Sequence, residues 1–167
     1  ASKTILSQPE LEQVRGMVDG LNRHEDASAI IENSEKQVMI VANHLCGVRM
    51  KGLLDFMPEI HAESDCLYDL KSTARGADED TFFKQCFDIG YHIQAAYYLD
   101  ACRAAGIFVN RFAFIVIENF PPYECKIHYL KLHDEETELG RRQYQKAMLD
   151  YQACVNSGKW PGYTKSW

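Results

Sequence analysis

The stretch Leu67-Tyr68-Asp69-Leu70-Lys71-Ser72-Thr73 decides how the rest of the chain is read. It is a short β-type run in which apolar residues surround two opposite charges. Strand side chains alternate faces, so Asp69 and Lys71 project from one side and Leu70 from the other. An Asp-x-Lys at the end of a strand is ordinarily a surface ion pair of little energetic weight. Here the strand is apolar, and a charge in such a setting needs a partner or a purpose. A second carboxylate closes Gly52-Leu53-Leu54-Asp55, at the end of the preceding apolar stretch. Paired as a hairpin, the two strands bring Asp55, Asp69 and Lys71 together at one edge of a sheet.

Periodicity sets the remaining elements. Pro9 opens a helix capped by Ser7, with Leu11, Val14, Met17, Val18 and Leu21 at helical spacing. A short helix is expected over residues 26–33, then a strand over 37–42 and a turn at 43–47. A second strand over 48–57 is stopped by Pro58, and a third over 66–71 follows the polar link 59–65. Residues 81–105 read as the longest helix, capped by Asp80 or Thr81 and ended by Gly106. The continuous run Phe112-Ala113-Phe114-Ile115-Val116-Ile117 reads as a buried central strand within 111–118. Pro121-Pro122 breaks it, 124–130 is a further strand, and 134–156 is a charged helix ending at Gly158. Three strands, a crossover helix and a further strand predict an α/β fold, a mixed sheet with helices on its faces.

Composition bounds the function. The chain has 167 residues, 46% of them apolar and 25% charged, which suits one domain with a substantial core. Its parts are N-terminal helices over about 8–33, a core over about 37–130 and a C-terminal helix over about 134–157. The net charge of −6 argues, on bulk charge alone, against nucleic acid as a partner. The acidity is uneven, however: residues 1–80 hold eight basic and 15 acidic side chains. Solubility explains that excess, and so does a cation site. No apolar run approaches the roughly 20 residues of a membrane span. Residues 1–4 lack a signal-peptide pattern, so a cytoplasmic location is expected. The cysteines at 46, 66, 86, 102, 125 and 154 contain no CxxC, which argues for reduced thiols and against zinc or an iron–sulfur cluster. His61, His128 and His133 are scattered and support no zinc site either.

The chemistry follows from the charges. Two carboxylates a few ångströms apart repel unless a cation lies between them. Oxygen-rich sites of this kind suit Mg²⁺ or Mn²⁺. A lysine beside the cation can orient or deprotonate a water, or stabilise charge on a phosphoryl group. In Tyr91-His92-Ile93-Gln94-Ala95-Ala96-Tyr97-Tyr98, Gln94 and Tyr98 share a helix face and can turn an amide and a hydroxyl toward a ligand. Aromatics at helical spacing ordinarily pack in a core, and Tyr97 or Phe87 reads so. Arg141-Arg142 with Lys146 reads either as a solvated face balanced by Glu135, Glu136 and Glu138 or as a DNA-binding rim.

Gly52-x-x-Asp55, Asp69-x-Lys71 and Gln94-x-x-x-Tyr98, in that order, resemble the motifs of the PD-(D/E)xK nuclease superfamily in its RecB-like branch. The wider text is similar to the exodeoxyribonuclease VIII (RecE-type) and phage exonuclease group from about Val38 onward. The resemblance implies a restriction-endonuclease-like αβββαβ core and Mg²⁺- or Mn²⁺-dependent hydrolysis of phosphodiester bonds in DNA. It implies Asp55, Asp69 and the Leu70 carbonyl as metal ligands, Lys71 positioning the attacking water, and Gln94 and Tyr98 contacting DNA. Such relatives digest linear duplex DNA from 5′ ends during phage-type recombination, hand the remaining strand to a single-strand annealing protein, and in some cases form rings.

The same branch carries a GxxxH motif on an upstream helix. Gly20-Leu21-Asn22-Arg23-His24 matches its letters but stands too close to the first strand, so His24 reads as a surface or capping residue. Glu32 or Glu35 could take the missing ligand's place, and the chain reads as short by one helix. The alternative function is therefore a catalytically incomplete nuclease-fold module for DNA binding or assembly. A bound divalent cation would reverse the local field that a phosphate meets, which makes the bulk charge the wrong guide to the partner.

Overall fold

A computed structural model describes residues 5–58, 65–131 and 133–162. The signal-peptide reading of residues 1–4, most of the polar link, and His61 lie outside the described residues. The described elements are α1 (Gln8–Arg23), α2 (Glu25–Glu32), β1 (Ser34–Asn43), β2 (Arg49–Pro58), β3 (Cys66–Thr73), α3 (Glu79–Ile89), α4 (Tyr91–Ala104), β4 (Arg111–Glu118), β5 (Cys125–Lys131) and α5 (Glu135–Ser157).

The strands form one mixed sheet in the order β1-β2-β3-β4-β5. β1, β2 and β3 are an antiparallel meander, β3 and β4 are parallel, and β5 returns antiparallel. Only the parallel step needs a crossover, and α3 and α4 supply it. This is the expected α/β architecture, with helices on both faces. Two positions differ from expectation. β4 is the expected buried interior strand, paired with β3 and β5, and β3 is interior as well, so Asp69 and Lys71 lie inside the sheet and not at its edge. The helix over 81–105 is two helices, because Gly90 adopts φ 85° and ends α3 before α4 begins. Left-handed backbone cannot continue a right-handed helix, and glycine adopts it without a Cβ clash. Asp78, rather than Asp80 or Thr81, caps α3 by accepting the Thr81 N–H at 3.0 Å.

β4 shows why a continuous apolar run marks an interior strand. Phe112, Phe114 and Val116 face a core closed by Phe82 of α3, Ala95, Ala96 and Leu99 of α4, and Tyr144 of α5. Ala113, Ile115 and Ile117 face the opposite core, closed by Ala27 of α2 with Met17 and Leu21 of α1. Each fully buried Phe or Ile contributes about 1.5–3 kcal/mol. The helix layer is close-packed: a Cβ on Gly140 of α5 would stand 2.2 Å from the His92 carbonyl oxygen of α4. That contact sets how near α5 comes to α4, and α4 in turn lies over β1, β2 and β4.

Candidate active site

The site begins where β2 and β3 part. Phe56 stands opposite Tyr68 in the ladder, and that register sets Asp55 across from Asp69. The Leu70 N–H, which a continued ladder would give to a strand carbonyl, donates instead to Asp55 Oδ2 at 3.1 Å. Asp55 Oδ1 accepts from Gln37 Nε2 of β1 at 3.0 Å. The Asp55 carboxylate thus lies in the seam between two strands, half-buried and tied at both oxygens.

Asp69 faces α4 and is only 4% exposed. Gln94 Nε2 donates to its Oδ1 at 2.8 Å, so one of the two motif residues on α4 reaches the acid directly. The Lys71 ammonium stands 2.5 Å from Oδ2. The contact is a charge-assisted one, so Oδ2 is buried against the lysine and carries its counter-charge. Burial pushes the Asp69 carboxyl above the usual range, Lys71 pulls it back down, and the nearby Asp55 charge adds to the rise. Lys71 itself is held over aromatic faces, 4.6 Å from the centroid of Tyr91 and 5.9 Å from that of Phe114. Such faces attract a cation without neutralising it.

Gly52 and Tyr98 prove to be one contact. A Cβ at Gly52 would stand 2.8 Å from Tyr98 Cε1, so the ring of Tyr98 lies against the backbone of β2. Tyr98 also packs at the edge of the α4-side core. Beside it, the Tyr97 hydroxyl accepts the Lys51 N–H at 3.0 Å and donates to the Lys51 carbonyl at 3.2 Å. It pairs the backbone of β2 on the side that β3 has left. Tyr97 thus anchors β2 through its hydroxyl and packs, as expected, against the α4-side core. Phe87, also expected there, is 42% exposed and packs on His92.

Three further expectations resolve by position. His24 Nδ1 accepts the Ala27 N–H at 3.3 Å and caps α2. Neither it, Glu32 nor Glu35 forms a metal-holding cluster with Asp55 and Asp69, since no group of three or more His, Cys, Asp or Glu does so among the described residues. Arg141 is not part of a free basic rim: it binds both oxygens of Asp100 on α4, at 2.8 and 3.1 Å, and pairs with Glu138. Lys146 is paired with Asp150 along its own helix. The thiols of Cys66, Cys86, Cys102 and Cys125 are buried. Burial pushes Cys66 up to about 12 and each of the others up to about 11.

A hard divalent cation fits the donor set. The Asp69 carboxylate is buried beside the Asp55 charge, which raises its pKa, Asp55 faces it across the strand gap, and the Leu70 carbonyl is adjacent in sequence. Few protein oxygens favour a small ion that keeps several waters, as Mg²⁺ does.

A family model described as a PDDEXK-like domain of unknown function (DUF3799) matches residues 1–166. The chain belongs to this PDDEXK-like family. The fold of this PDDEXK-like chain is shared by the crystal structure of a candidate exonuclease from Eubacterium rectale. The TM-score is 0.69 and the identity 17%, over 92% of this chain and 57% of that one. The chain thus spans little more than half of that protein's length. The crystal structure of SSO0001 is more distant, at 16% identity and a TM-score of 0.45 over 85% of this chain and 66% of that one. No curated protein matches. No helix among the described residues is long and apolar enough to cross a membrane.

Proposed function

We propose that this PDDEXK-like protein is a metal-dependent DNA exonuclease acting on linear double-stranded DNA, 5′ to 3′, in phage-type recombination. The observation that carries the reading is the Asp55–Asp69–Lys71 arrangement in the opened β2–β3 seam, with two carboxylates facing each other and the lysine against the buried one. Asp55, Asp69 and the Leu70 carbonyl would hold Mg²⁺ or Mn²⁺. Bound there, the ion supplies Lewis-acid polarisation of a phosphoryl oxygen and a more acidic water. Gln94 fixes the Asp69 carboxylate by donating to Oδ1, which keeps Oδ2 turned to the seam. Lys71, held between Asp69 and the Tyr91 ring, orients a water beside the scissile phosphate and balances charge that develops on it. Tyr98 holds β2 at its distance from α4 and presents its ring edge to the DNA.

The deciding assay offers the protein linear and closed-circular duplexes with Mg²⁺ or Mn²⁺. Linear DNA should be consumed from its 5′ ends while circles survive, and Asp69→Ala and Lys71→Ala should abolish the loss. Intact linear DNA with both metals would sink the exonuclease reading. The shortage of a third His or acidic ligand among the described residues favours a second reading, a nuclease-fold module that binds or assembles without cleaving. That reading expects DNA binding without hydrolysis and no Mn²⁺ bound.

A further inference from the structure

Gln37 lies in the middle of β1 with φ 56°, a left-handed conformation. A long side chain rarely adopts it, and such residues persist where the surrounding structure holds them, often beside a functional group. The β1–β2 register is regular on either side, with Lys36 opposite Phe56 and Val38 opposite Leu54. The interruption therefore falls opposite Asp55. Its effect is visible on β2: Leu54 packs in the core beneath α4, whereas Phe56 packs in the core beneath α1 and α2. Residues two apart on a regular strand share a face. Here the strand turns over at Asp55, and its side chain enters the seam rather than either face.

From that backbone position the Gln37 amide donates to Asp55 Oδ1 at 3.0 Å, while the Leu70 N–H holds Oδ2 at 3.1 Å. Each oxygen accepts one bond and keeps acceptor capacity for another partner. We infer that Gln37 is a positioning residue of the candidate active site: its kinked backbone opens the seam, and its amide orients the Asp55 carboxylate toward a divalent cation. The inference rests on the proposed reading of Asp55 as a metal ligand. Hydrogen-bond partners of ligating carboxylates typically affect metal affinity by about 10- to 100-fold.

Backbone and amide can be separated with two variants of the whole chain. Gln37→Met keeps the length of the side chain and removes the donor. Gln37→Gly removes the donor and also relieves the left-handed strain. Mn²⁺ binding, followed by calorimetry or by the spin signal of the free ion, should weaken about 10-fold in both. The melting temperature should stay near wild type in Gln37→Met and rise in Gln37→Gly, so stability and metal affinity move apart. Cleavage by both variants should recover toward the wild-type rate as Mn²⁺ is raised, placing the loss in metal requirement and not in maximal rate. Mn²⁺ affinity within about twofold of wild type in Gln37→Met would overturn the inference, as would stability and affinity rising together in Gln37→Gly. If wild-type protein binds no Mn²⁺, the reading of Asp55 as a ligand fails and the role of Gln37 fails with it. If wild type binds and only the variants are indistinguishable from it, that reading stands and the role of Gln37 alone is lost.

Discussion

Lys71 and Asp69 answer differently to removal, because one balances the other inside the protein. Lys71→Ala leaves a buried carboxylate without its counter-charge, and breaking a buried pair from one side costs about 3–5 kcal/mol. The Lys71 side chain is 18% exposed, which places the expected loss at the lower end, about 3 kcal/mol. Asp69→Asn removes the charge, keeps an acceptor for Gln94, and should be close to wild type in stability. Urea unfolding of the two variants separates these outcomes, and a loss under about 1 kcal/mol in Lys71→Ala would mean that Lys71 is solvated rather than paired. Both should lose DNA hydrolysis by at least about 100-fold. Much of this scale was legible in the sequence, since strand alternation alone puts Asp69 and Lys71 on one face. Gln37 was not legible: an ordinary glutamine in a strand gives no sign of its backbone angle. The Tyr97 hydroxyl was equally hidden, because its partner is the backbone of a residue 46 positions away.

Between elements, contact distances decide. Gly140→Ala should cost about 1–3 kcal/mol or more, because its Cβ would collide with the backbone of α4 rather than with a movable side chain. Gly52→Ala meets the Tyr98 ring instead. It should be destabilising alone and largely tolerated together with Tyr98→Ala, a coupling that a double-mutant cycle on thermal unfolding reads directly. A third joint ties the start of β3 to that of β4: the Asp65 carboxylate accepts from Arg111 Nε at 2.7 Å, and the Asp65 carbonyl accepts the Asn110 and Arg111 N–H groups. The Arg111 guanidinium holds the Asp65 carboxyl below its ordinary value. A depressed folded-state value stabilises above the unfolded carboxylate range and is lost as the pH falls through the folded one. The pair is well exposed, so the contribution is under about 1 kcal/mol, present at neutral pH and gone in acid. Stability curves of wild type and Arg111→Met should therefore converge below about pH 4. Strand boundaries were legible because apolar alternation and Pro58 mark them. The break at Gly90 was not, since a lone glycine within a helical pattern is commonly accommodated.

Across the whole molecule the charge distribution matters more than its sum. The chain is acidic at −6, yet Asp55 and Asp69 stand where a cation would cancel them. At about 100 times its dissociation constant, Mn²⁺ should stabilise the fold by about 2.7 kcal/mol. Asp55→Ala should remove that gain, and a melting temperature indifferent to Mn²⁺ in wild type would count against the metal site. The α/β architecture could be anticipated because the parallel β3–β4 step demands a crossover. The fate of Arg141 could not, because Asp100 lies on another helix and pairs with it only after α4 and α5 pack.

The left-handed residue in β1 has one more consequence, for behaviour in crowded solution. β1 is an outer strand of the sheet, ten residues long, and Met39 and Val41 are exposed on it. A flat edge of that length would template pairing with another molecule. The kink at Gln37 interrupts the row of peptide groups near its start, and Glu35 and Lys36 add charge beside it. Twisted, charged edges resist strand addition. The bend that steers Asp55 into the seam thus also guards the chain against aggregation.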